Sequence, residues 1–98
     1  MKKQNPRAAR RVHEQSALRK LKSSDISKAR IGIQEIAALG ANYPFEKGFN
    51  ALAEQLARRR SWLLKLEIID ALIVVAKPIR EQFKNYETTR GGFLRYLH

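Results

Sequence analysis

The sequence predicts an all-α protein: a compact bundle of three to five helices with a candidate helix-turn-helix, preceded by a basic N-terminal arm. Three observations carry that prediction. Apolar residues recur at helical spacing in three successive segments between residues 24 and 84. Helix punctuation falls between the segments, with Gly40 and Pro44 in one gap and Ser61 in the other. A strand over Leu64–Val75 is the competing reading, but no second strong strand is there to pair with it. A chain of 98 residues is enough for one domain with a modest core. The organisation expected is a basic arm over 1–23, helical or disordered, and a single α-helical domain over 24–98.

The arm reads "MKKQNPRAARRVHEQSALRKLKS". Asn5 is placed to cap a helix with Pro6 at its first position. Val12, Leu18 and Leu21 are sparse for a core face. Ser24 or Asp25 then starts the first strong helix, in which Ile26, Ala29, Ile33, Ile36 and Ala37 share one side. Gly40 ends it, as a residue just past a C-cap does. Pro44 opens the next helix, with Phe45, Phe49, Leu52, Ala53 and Leu56 on one face and Gly48 as a mild weakness.

Ser61 is placed to cap a third, longer helix. Trp62, Leu63, Leu66, Ile69, Leu72, Ile73 and Ala76 are apolar at helical spacing, and so are Leu64, Ile68, Val74 and Val75. Only a narrow polar stripe remains: Glu67, Asp70, Lys77, Glu81 and Lys84. A helix with so little polar surface is central in its bundle or buried at a partner interface, so Trp62–Ala76 is a candidate homo-oligomer or protein contact. Pro78 removes a backbone donor and predicts a kink or a two-helix corner. "TTRGG" is expected to end the helix, and "FLRYLH" to fold back on the core.

Charge is the strongest functional signal. Lys and Arg number 20 against 9 Asp and Glu, a formal charge of +11. Residues 1–30 hold ten bases and two acids, net +8; residues 31–98 hold ten and seven, net +3. Such a chain suits a densely negative partner, with nucleic acid first, then an anionic membrane, then an acidic protein. Duplex DNA is favoured over RNA. The arm residues Lys2, Lys3, Arg7, Arg10, Arg11, Arg19, Lys20 and Lys22 are the candidate phosphate contacts.

Other classes are weakly supported. There is no cysteine, which excludes disulfides and thiolate chemistry and fits a reducing compartment. The expected location is cytoplasmic, on the nucleoid if DNA is the partner. The most apolar run, Trp62 to Ala76, is fifteen residues long and contains Lys65, Glu67 and Asp70, so no membrane span is expected. The basic N-terminus is followed by no apolar run of the kind a secretory signal needs. No nucleophile–base signature, Gly-rich phosphate loop or metal-ligand spacing is present, so no catalytic residue, cofactor or metal site is expected. The pair Glu67 and Asp70, three apart, is ordinary helix surface.

The segment "ALAEQLARRRSWLLKLE" has the residue types of a DNA-reading helix-turn-helix. Ala53 is the small residue at the helix crossing, and Leu52 and Leu56 are its apolar neighbours. Ala57 stands at the turn. Leu63 and Leu66 are expected to hold the second helix on the first. Arg58, Arg59, Arg60, Ser61, Trp62 and Lys65 are then left facing outward. Arginine can pair guanine O6 and N7 bidentately, and Arg, Lys and Ser suit phosphates. Arg58, Arg59, Arg60, Ser61 and Lys65 are therefore candidate nucleic-acid contacts.

"LAEQLARRRSWLLK" resembles the helix-turn-helix of the ParB and KorB type of plasmid-partition and repressor proteins. "ISKARIGIQEI" is similar to the helix before that motif, and "AKPIREQF" to the segment after it. Ala57 replaces the turn glycine and Arg59 the usual serine. Leu64 takes a small polar position, and Glu67 and Asp70 take leucine positions. The resemblance implies a repressor or accessory factor of a plasmid, phage or other mobile element. The alternative is a non-enzymatic helical interaction module whose arm binds RNA, a ribonucleoprotein or an acidic protein.

Overall fold

A computed structural model describes the backbone of residues 6–97 and the side chains of residues 7–84. Four helices follow in order: α1 Pro6–Leu21, α2 Ile26–Gly40, α3 Glu46–Arg58 and α4 Trp62–Leu97. The chain is all-α, with no strand among the described residues. Leu64–Val75 lies inside α4.

Residues 6–21 of the expected arm form α1. The helix also belongs to the core. Ala17 and Leu21 are fully buried, and Leu18 packs beside them. Their sparseness is offset by close backbone approach. A Cβ on Gly32 of α2 would sit against the Leu21 backbone nitrogen and within 2.9 Å of the Ala17 carbonyl oxygen. Close backbone approach at Gly32 supplements the Leu18 and Leu21 side chains where α1 meets the core.

α2 begins where Asp25 accepts a hydrogen bond from the Ser27 amide at 2.9 Å. Ala29, Ile33 and Ile36 point inward from it. Gly40 is its last residue and has no positive φ. Its reason for being glycine is packing, not the left-handed turn expected after a helix. A Cβ there would lie 2.8 Å from a Val75 methyl. α3 begins at Glu46, two residues after Pro44, with Phe45 buried beneath it. Ser61 precedes α4, its hydroxyl accepting from the Leu64 amide at 3.4 Å.

α4 is the long element, 36 residues and roughly 54 Å at the α-helical rise. It runs through Pro78 without a break, and Pro78 is buried. It also continues through Gly91 and Gly92 to Leu97, where a stop and a folded-back tail were expected. The core lies on one side of it, built from Leu64, Ile68, Ala71 and Val75 against Ile33, Ile36, Leu52 and Phe45. The Cα envelope is 56 × 45 × 16 Å, and among the described residues Trp62, Leu63, Leu66 and Ile73 on the outer side of α4 are exposed. Arg30 of α2 reaches Glu67 of α4 at 2.7 Å. That hydrogen bond and charge hold the guanidinium pKa above its ordinary value.

Candidate nucleic-acid interface

The three arginines of the "ARRRS" segment do different things. Arg59 turns inward. Its Nε donates to Gln55 Oε1 at 3.0 Å, and one terminal nitrogen donates to the Leu21 and Ser23 carbonyl oxygens, each at 2.7 Å. Gln55 is a buried polar residue, 7% exposed, and Arg59 satisfies it. Leu21 is the last residue of α1, so Arg59 places a cation on carbonyls at the negative end of that helix. The expectation that Arg59 faces outward is corrected: it is a clamp between the α1 end and the α3–α4 turn.

Arg58 is exposed and pairs with Glu54 one turn back at 3.0 Å. Arg60 is exposed. Lys65 is half-buried, with Nζ 5.8 Å from the centre of the Trp62 ring.

The packing of α4 also differs from the helix-turn-helix expectation. Ala53, taken as the small crossing residue, is exposed, and so is Ala57. Leu63 and Leu66, taken as packing residues, are 77% and 53% exposed. Leu64 and Ile68 hold α4 in place instead, at 2% and 0% exposure. The physical reason is that apolar residues line nearly the whole circumference of α4. Ala71 and Val75 extend the Leu64–Ile68 row, and Glu67 pairs with Arg30 beside it. With that row inward, the outward side of the first turns of α4 carries Trp62, Leu63 and Leu66.

Two candidates on α1 and α2 contacts are likewise engaged. Arg10 donates to the Leu39 carbonyl at 2.8 Å, pairs with Glu14 at 3.5 Å and lies 5.3 Å from the Tyr43 ring centre. It supplies the cation that the last turn of α2 lacks. Lys20 meets Glu35 at 2.6 Å. Lys2 and Lys3 lie outside the described residues, as does Asn5.

Further cations line an exposed side of α1. Arg7, Arg11, Arg19 and, just beyond the helix, Lys22 are exposed and fall on one side together with Gln15. Glu14, the one acid of α1, is half-buried beside Arg10. From Arg7 to Arg19 this track is ~18 Å long. The Arg59 clamp then decides where it leads. Lys22 lies between the two residues whose carbonyls Arg59 holds, and Arg58 and Arg60 flank Arg59 itself. The basic run on α1 and the basic turn before α4 therefore meet at one end of the molecule. Sequence reading missed this junction, since nothing local in "RRR" tells which arginine turns inward.

Among the described residues, no group of three or more His, Asp or Glu side chains could hold a metal ion, and no helix is long and apolar enough to cross a membrane. No family model, curated protein or solved structure matches the chain.

Proposed function

We propose that this protein binds nucleic acid, duplex DNA in preference to RNA, by gripping the phosphate backbone along the outer side of α1 and around the α3–α4 turn. The observation that carries the reading is the Arg59 clamp, which joins Arg19 and Lys22 to Arg58 and Arg60 as one cationic end. Cations arranged along a helix and continued into a helix N-terminus suit a polyanion, because both the side chains and the Trp62 and Leu63 amides at the start of α4 favour phosphate oxygens. Outward residues at the start of α4 are largely apolar, so base reading there would fall to Arg60, Ser61 and Lys65.

The test is fluorescence anisotropy with duplex DNA, single-stranded DNA and RNA over a salt series. Deleting residues 1–23 is unsuitable because Ala17 and Leu21 belong to the core. The triple variant Arg11→Ala, Arg19→Ala, Lys22→Ala keeps the packing and removes the track. The reading expects tight duplex binding, with a log–log salt slope shallower by about 3 units in the variant. Binding unaffected by the triple variant, or absent in the unaltered chain, overturns it.

A further inference from the structure

α4 has two apolar seams. Leu64, Ile68, Ala71, Val75 and Pro78 follow one another at spacings of four, three, four and three, and all are buried. Trp62, Leu66, Ile69, Ile73 and Ala76 follow with the same spacing, two residues out of register. Two residues is about 200° of helical rotation, so the second seam faces away from the core. Trp62 is 77% exposed, Leu66 53%, Ile69 40% and Ile73 67%. Spacing alternating by three and four is that of a left-handed helix–helix seam, not of scattered surface apolar residues.

We propose that this outer seam is a homodimer interface in which α4 pairs with α4 of a second copy, antiparallel, about a twofold axis between Ile73 and Ala76. The proposal does not depend on nucleic-acid binding.

Three arguments point to a second copy rather than another occupant. The first is area. Trp62, Leu66, Ile69 and Ile73 expose roughly 500 Å² of apolar surface per copy, at the upper end of the largest patch on a typical monomer. Two such faces together reach the ~1,000 Å² expected of a biological interface. The second is self-complementary charge. Asp70 and Lys77 flank the same edge of the seam, seven residues apart and both exposed. An antiparallel twofold sets Asp70 against the partner's Lys77, and Lys77 against the partner's Asp70, in an isologous contact. The third is the direction of the long-range field. Each chain has a net charge of +11, with the basic end at the start of α4. Antiparallel pairing sends the two basic ends apart, whereas parallel pairing sets them side by side and stacks Arg80 on Arg80.

The experiment is sedimentation equilibrium of the full chain without nucleic acid, at moderate salt and over a wide concentration range. The expected mass is twice the 11.3 kDa chain mass. Ile69→Glu with Ile73→Glu should give the monomer mass with helical circular dichroism retained, since both residues are exposed. Leu66→Glu serves as a second variant if that pair affects folding. Orientation is read by charge exchange. Asp70→Lys alone should weaken the dimer roughly tenfold, and adding Lys77→Asp in the same chain should restore it. A monomer at all concentrations, or a dimer unaffected by the seam variants, overturns the interface. Failure of Lys77→Asp to restore association overturns the antiparallel arrangement.

Discussion

Replacing Arg59 with Ala removes three hydrogen bonds at once and leaves the buried Gln55 side chain without its partner. Hydrogen bonds to a charged donor contribute more than neutral ones, so the expected loss is about 2 kcal/mol. Urea unfolding should show a lower midpoint with an unchanged slope. Arg58→Ala provides the contrast. Arg58 pairs one turn back with Glu54 on an exposed surface, and its loss should shift stability by no more than about 0.5 kcal/mol. The two variants should reverse in rank when salt dependence of DNA binding is measured at a stability-matched temperature. Composition alone showed a basic turn here. It did not show which arginine turns inward, because that depends on the carbonyls of Leu21 and Ser23, which lie 38 and 36 residues earlier in the chain.

At the scale of the helices, glycine sets one contact and register sets another. Gly32→Ala brings a methyl group against the α1 backbone, which has no flexible end to move aside. Overpacking of this kind should cost about 1–3 kcal/mol, and α1 amides should exchange faster with solvent than those of α2 and α3. For α4, Leu64→Ala should cost about 2–5 kcal/mol and Leu63→Ala less than about 0.5 kcal/mol in the monomer, both read by urea unfolding. This pair also marks the limit of what the sequence disclosed. α2 was legible because Asp25 caps it and a single face of Ala29, Ile33 and Ile36 is apolar. The rotation of α4 was not, since rows through Leu64 and through Leu66 satisfy the same spacing. Which row turns inward is decided by neighbours distant in sequence, including Val75 on Gly40 and Glu67 with Arg30. α1 was hard to place because its contact uses Ala17 and Gly32, residues that register weakly on any hydrophobic count. The end of α4 was misplaced because Gly91 and Gly92 are ordinary stop signals, yet helix continues across them.

For the molecule as a whole, charge and shape separate two surfaces. Cations occupy the outer side of α1 and the turn beside it, and apolar residues occupy the outer side of α4. Variants on one should leave the other intact: Ile69→Glu with Ile73→Glu should abolish dimerisation, while Arg11→Ala, Arg19→Ala and Lys22→Ala should leave the sedimentation mass unchanged. The uninterrupted course of α4 from Trp62 through Pro78 then acquires a metric meaning. A helix advances about 1.5 Å per residue, so the antiparallel pairing proposed here would place the two Trp62 positions roughly 35–38 Å apart along the pair. One turn of B-form DNA measures about 34–36 Å. A broken or kinked α4 would scramble that interval. An unbroken one lets the pair act as a ruler, its two basic ends spaced close to one turn of a duplex.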